Sequence, residues 1–177
     1  TDRFRTTLKP EVDSMGSKPT QKEQQLLSDQ LNHEKVCIQK YSSYAQQTRD
    51  PQLKQMFNQY ASEEQNHYDT VSQLLSGQPA NMSTKQRPAQ QIQMQGGEAG
   101  ELQGAVGGAG MTNQEDATML GDMLMTEKFV SGAYDTAVFE SANSDVRQAL
   151  QHIQREEQQH GEGIFNYMSQ HGVYNPK

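Results

Sequence analysis

Residues 63–67 read Glu63-Glu64-Gln65-Asn66-His67, and residues 156–160 read Glu156-Glu157-Gln158-Gln159-His160. Each pentad contains Glu-x-x-His, a spacing that puts both side chains on one face of a helix. Adding 93 to a residue number carries the first pentad onto the second. The same offset takes Leu27 to Leu120, Asp29 to Asp122, Leu31 to Leu124, Glu34 to Glu127, Lys35 to Lys128 and Tyr41 to Tyr134, with no gap. The chain is therefore two copies of one plan, and each copy buries the face that the other exposes.

Working outward from the pentads, the plan is a helical hairpin. Thr20 and Glu23 form a T-x-x-E capping box ahead of an apolar seam of Leu27, Leu31, Glu34, Ile38, Tyr41 and Ala45. Asp50-Pro51 is an N-cap and N1 pair that opens a second helix. Its seam is Leu53, Phe57, Tyr60, Glu64, His67, Val71 and Leu74, and Gly77 stops it. Thr112 or Asn113 is expected to cap a third helix with seam Leu120, Leu124, Glu127, Ser131, Tyr134 and Val138. Ser144 is expected to cap a fourth, with seam Val146, Leu150, Ile153, Glu157, His160, Ile164 and Tyr167, and Gly172 ends it. The expected fold is all-α: a ferritin-like four-helix bundle over residues 20–175, built from hairpins 20–77 and 112–175. The Gln, Gly, Ala and Pro-rich stretch 78–111 is the single long crossover between them, and residues 1–19 form an extended N-terminal arm.

The seams place Glu34, Glu64, His67, Glu127, Glu157 and His160 in one core. Four buried carboxylates repel one another and each costs several kcal/mol in lost hydration unless counter-charge is present. Four Glu⁻ with two neutral His carry −4, and two divalent cations neutralise them. One Glu from each of two helices with one Glu-x-x-His from each of the other two is the ligand set of di-iron and di-manganese bundles. The six residues therefore read as ligands of two metal ions, Fe or Mn, with Zn able to enter during preparation. The competing reading makes them solvated surface charges. Tyr41 and Tyr134, seven residues beyond the lone Glu, are candidates to hydrogen-bond a ligand carboxylate, or else core aromatics. Glu63 and Glu156 are candidates to hold a ligand His by its second nitrogen, or else surface acids. Asp29 and Asp122 are duplicated without an evident role. Cys37 reads as a quiet core thiol, and His33, His152 and His171 fall off the seams as solvent-exposed residues.

Composition narrows the function. The net charge is −7 with 21% charged residues and no basic cluster, which argues against nucleic acid or a polybasic membrane contact. No apolar run reaches the ~18–20 residues of a membrane-spanning helix. No apolar signal-peptide core is visible, so synthesis in the cytoplasm is expected. A single cysteine excludes an internal disulfide framework. Glutamine makes up about one residue in seven, far above ordinary usage.

The second half resembles the bacterial spore coat protein F (Coat F domain) family. The resemblance is carried by Leu124-Met-Thr-Glu-Lys-Phe-Val-Ser, Tyr134, Glu140-Ser-Ala-Asn-Ser-Asp-Val-Arg, Glu156-Glu157, and Met168-Ser-Gln-His-Gly-Val-Tyr174. It covers residues 113–175, and the first hairpin follows the same plan. The resemblance implies a ferritin-like bundle in spores of Gram-positive bacteria with a structural role and no assigned chemistry. The expected function is a structural protein of the spore coat or a related spore assembly, deposited on the spore coat or surface. Its expected partners are itself, as a homo-oligomer or lattice, and other spore coat proteins, with no nucleic acid and no membrane. The alternative is a di-metal oxidoreductase of ferroxidase, peroxidase or manganese-catalase-like type. A third reading is an inert bundle in which metal only stabilises the fold.

Overall fold

The computed structural model describes residues 18–80 and 114–174. Among them are four long helices and no strand: α1 (Gln21–Gln47), α2 (Pro51–Leu75), α3 (Gln114–Glu140) and α4 (Ser144–Gln170). The N-terminal arm up to residue 17, the crossover from residue 81 and the cap of the third helix lie outside the described residues.

The helix ends follow from local chemistry. At α1, Thr20 and Glu23 close a reciprocal capping box. At α2, Oδ1 of Asp50 accepts from the N–H groups of Gln52 and Leu53 at 2.7 and 2.9 Å, and Pro51 occupies the first helical position. Gly77 adopts φ 75°, so the N–H groups of Gln78 and Gly77 reach back to the carbonyls of Gln73 and Leu74. Gly172, at φ 69°, repeats this turn after α4. The cap of α4 is Asn143, not Ser144. Its side chain accepts from the N–H groups of Asp145 and Val146. Asn143 is also the residue that the 93 offset assigns to the Asp50 position, so the repeat carried the information that the Ser preference obscured.

Each hairpin packs its own two helices together, and the hairpins meet through α1 against α3 and α2 against α4. Both of these pairs run antiparallel: Tyr134 meets Glu34 while Tyr41 meets Glu127, and Glu63 meets His160 while His67 meets Glu156. At one end, Glu23 fastens the hairpins by accepting from its own cap residue Thr20 and from the Asn143 N–H at 2.8 Å.

The seams need correction on three helices. On α1 the fully buried positions beside Glu34 are Gln30 and Cys37, while Leu31 and Ile38 flank the stripe half-buried. On α3, Met123 and Val130 are buried where Leu124 and Ser131 were expected. On α2, Tyr60 is half-buried. The apolar stripe of a bundle helix is wider than a single seam, so a seam stepped by fixed heptad spacing fell on the neighbour of the true core position. His33, His152 and His171 are half-buried rather than solvent-exposed.

Two apolar clusters fill the interior. One gathers Leu27, Val71, Leu74, Val130, Val146, Leu150 and Ile153, and the other Leu53, Phe57, Leu120, Met123, Ile164 and Met168. Glu34, Glu64, His67, Glu127, Glu157 and His160 are all 2% exposed or less.

Candidate metal centre

The six ligand-type side chains converge into two overlapping donor groups. Glu34, Glu64, His67 and Glu157 form one, and Glu64, Glu127, Glu157 and His160 form the other. Within each group the donor atoms lie within 4.8 Å of one another. Glu64 and Glu157 belong to both. Each group therefore offers one private Glu, one private His and two shared carboxylates.

The histidines present one nitrogen to the cluster and the other to an outer acid. Nδ1 of His67 lies 3.0 Å from Glu157 and 3.5 Å from Glu64, while Nε2 lies 2.9 Å from Glu156. Nδ1 of His160 lies 3.0 Å from Glu64, and Nε2 lies 2.7 Å from Glu63. Both outer acids come from the facing helix of the other hairpin. A carboxylate accepting from the Nε2 proton fixes the tautomer and leaves Nδ1 free to bind a cation. The tyrosines also cross between hairpins: Tyr41 donates to Oε1 of Glu127, and Tyr134 to Oε1 of Glu34.

Sequence reasoning missed two neighbours. Tyr60 stacks on His160, with ring centroids 4.3 Å apart and planes inclined by 28°. Asp122 accepts from Nζ of Lys40 at 2.8 and 3.0 Å and from the Tyr44 hydroxyl at 2.6 Å, so the duplicated Asp122 ties α3 to α1. Its counterpart Asp29 is exposed. The repeat could not signal either contact, because Tyr60, Lys40 and Tyr44 align with Ile153, Ala133 and Ala137. Cys37 is buried, and burial followed by the charges of Glu64 and Glu127 pushes its thiol far up.

Electrostatics show a site short of positive charge. Burial, with the like charges of Glu157 and Glu64 behind it, pushes the Glu34 carboxyl well up. Burial and Glu157 do the same to Glu127. Burial opposes charge on Glu64, but hydrogen bonds from His160 and His67 win and hold it low. Burial also opposes charge on the histidines. The bonds from His160 to Glu63 and Glu64 outweigh it and raise His160 to about 10, and the bond from His67 to Glu156, with the Glu157 carboxylate 3.0 Å from Nδ1, raises His67 well above its usual value. Protons thus serve as the counter-charge when cations are absent.

Even so, the cluster leaves acceptors orphaned. Among the described residues, seven buried side-chain polar atoms lack a hydrogen-bond partner, and six belong to this cluster: Oε2 of Glu34, Glu64 and Glu127, both oxygens of Glu157, and Nδ1 of His67. Buried acceptors without partners cost about 1–3 kcal/mol each, more when charged. Once their protons are displaced, the inward-facing carboxylate oxygens and imidazole nitrogens fit hard or borderline divalent cations.

A groove of about 530 Å³ opens between α3 and α4, bordered by Leu124, Phe165, Tyr174 and Gly161 and by the ligand-type residues Glu127 and Glu157.

A family model of the Coat F domain matches residues 22–77 and 115–177. The chain belongs to the Coat F domain family. The match takes in both hairpins and every ligand-type residue, so the Coat F likeness is not confined to the second half. No curated protein and no solved structure matches the chain. No helix among the described residues of this Coat F protein is long and apolar enough to cross a membrane.

Proposed function

We propose that this chain is a structural protein of the bacterial spore coat, or of a related spore assembly, whose bundle is closed around two iron or manganese ions. Membership of the Coat F family supports the coat role. The observation that carries the metal centre is the pair of overlapping donor groups, six of whose buried atoms have no hydrogen-bond partner. Glu34 and His67 would serve one ion, Glu127 and His160 the other, and Glu64 and Glu157 both. Two bound cations supply fixed positive charge and, for iron or manganese, access to a second oxidation state. The protein contributes ligands from all four helices, so loading would cross-link the hairpins and stabilise the fold. Its partners in this reading are further copies of itself and other coat proteins.

Elemental analysis of protein purified from spores tests the centre. Two metal ions per chain are expected, and fewer than one counts against it. Antibody labelling of fractionated spores tests the location. Signal in the coat fraction is expected, and signal confined to the spore core rejects the coat role.

The groove favours a second reading, a di-metal oxidoreductase of ferroxidase, peroxidase or manganese-catalase-like type, because Glu127 and Glu157 are among the residues that border it. Turnover of Fe(II) or peroxide that Glu64→Ala abolishes would support it. No turnover above that variant leaves the scaffold reading in place.

A further inference from the structure

The two hairpins agree at the ligand-type residues and differ just outside them. Leu124, Lys128 and Gln158, which border the groove, recur on the first hairpin as Leu31, Lys35 and Gln65. At two other border positions the second hairpin has less bulk. The 93 offset pairs Ser131 with Ile38 and Gly161 with Tyr68, and Ile38 and Tyr68 are both half-buried. Phe165 is larger than its counterpart Ser72, but it meets Tyr174 edge-on, with centroids 5.4 Å apart, and about 530 Å³ stays open beside the pair.

Gly161 lies next to the stem of Glu127. A β-carbon built on it would sit 3.8 Å from Cβ of Glu127 and 3.9 Å from Cδ1 of Leu124, in ordinary contact. A longer side chain there would continue into the groove. The repeat puts Tyr68 at the equivalent place beside Glu34 and Leu31. The space beside Glu127 is thus the space that a tyrosine occupies in the other copy.

The groups that restrain the ligands are otherwise matched. Tyr41 donates to Glu127 and Tyr134 to Glu34, while Glu63 holds His160 and Glu156 holds His67. On the other flank Tyr60 stacks on His160, and its counterpart Ile153 is buried. Glu127 and Glu157, 2% and 0% exposed, shut the cluster off from the groove, so an ion leaves only when a carboxylate swings aside. In a close-packed interior a side chain swings only where there is space to receive it. Glu127 has that space, and the first hairpin fills it with Tyr68.

We propose that the two ion positions exchange at different rates, the one served by Glu127 and His160 being labile and the one served by Glu34 and His67 locked, with Gly161 as the cause. Such a centre keeps its first ion while trading the second, and so accepts a mixed pair of metals. The proposal rests on the metal-centre reading, whereas the unequal packing at positions 68 and 161 does not.

The test is the time course of zinc release from fully loaded, full-length protein into an excess of chromogenic chelator. Two phases of one ion each are expected, the first faster by about tenfold or more, the factor that ~1.4 kcal/mol of barrier gives. Gly161→Tyr puts the first hairpin's residue into the second and is expected to slow the first phase by about tenfold while leaving the second unchanged. Tyr68→Ala is expected to speed the second phase and leave the first unchanged. Gly161→Ala, whose methyl group makes only ordinary contacts, keeps the groove open and should retain the wild-type phases. Release of both ions in one phase overturns the proposal, as does a first phase that Gly161→Tyr leaves unchanged. Equal slowing by Gly161→Ala and Gly161→Tyr also overturns it, because helix stiffness and not the filled space would then set the rate. Zinc content before release keeps the two readings apart. Fewer than one ion per chain rejects the metal centre itself, and two ions that leave together reject unequal exchange alone.

Discussion

Nε2 of His160 on α4 lies 2.7 Å from Glu63 on α2, while Nδ1 of the same ring lies 3.0 Å from Glu64, one residue further along α2. Adjacent acids on one helix thus grip opposite edges of one imidazole. The same arrangement joins His67 to Glu156 and Glu157. Outer acids of this kind typically contribute 10–100-fold in metal affinity. Glu63→Ala and Glu156→Ala are therefore each expected to weaken metal binding by about 10–100-fold while leaving the stoichiometry unchanged. Competition against a chelator measures this, and wild-type affinity in both variants would remove the outer acids from the account.

The overlap of the donor groups makes a prediction about number rather than strength. Glu64 and Glu157 appear in both groups, Glu34 and Glu127 in one each. Glu64→Gln removes one anionic charge from both groups and should bring metal content well below one ion per chain. Glu34→Gln should leave about one ion bound at the Glu127 and His160 side, since that group is intact. Elemental analysis of the two variants, prepared alongside wild type, checks the order. Equal losses would mean that the two groups do not act as separate ion positions.

The proton inventory sets a pH dependence. In metal-free protein, His67 and His160 have raised pKa values, His160 to about 10, because hydrogen bonds to acids outweigh burial. A raised pKa gives stability that is complete below the ordinary histidine value of about 6.5 and is lost as pH rises toward the folded value. The raised carboxyls of Glu34 and Glu127 act in the same direction, each favouring its protonated form. Glu64, held low, acts oppositely and loses its contribution on acidification. Metal binding must displace the histidine and carboxyl protons, so it strengthens as pH rises. Between pH ~6.5 and ~9 the Tm of metal-free protein is expected to fall while the gap to manganese-loaded protein widens. A gap that stays constant or narrows over that window would contradict the protonation scheme.

Repetition made the buried cluster of four Glu and two His readable in the sequence. A single Glu-x-x-His occurs on many solvated helices, but two at a fixed offset, each with a third Glu thirty residues earlier, leave little room for chance. The capping box, the Asp50-Pro51 start and the glycine stops were legible because each depends on residues close in sequence. Apart from the α4 cap, placed one residue late at Ser144, what resisted reading depends on contacts across the hairpins. That Tyr41 reaches Glu127 and not Glu34, or that Glu63 serves His160 and not His67, follows from the antiparallel pairing of α1 with α3 and α2 with α4. Departures from the repeat were equally hidden. Tyr60 on His160, Lys40 with Tyr44 on Asp122, and the groove beside Gly161 all arise where the two copies differ.

The tightest of these departures can be tested directly. Any β-carbon on Gly163 of α4 would collide with the hydroxyl of Tyr60, whose ring stacks on His160 at 4.3 Å. Alanine in a helix interior normally gains up to ~1 kcal/mol over glycine. Overpacking typically costs about 1–3 kcal/mol, so the collision should win and Gly163→Ala should be net destabilising. The displaced ring should also weaken metal binding on the His160 side. Tyr60→Phe removes the colliding oxygen and leaves the stacking ring in place. Cζ of that ring still lies 3.2 Å from the added β-carbon, so in that background the cost of Gly163→Ala should shrink to near zero. The double-mutant cycle in urea measures this coupling, because residues in contact couple while distant ones add. Additive effects in the cycle would mean that Tyr60 is not held against Gly163, and its stacking on His160 would then lose its structural cause.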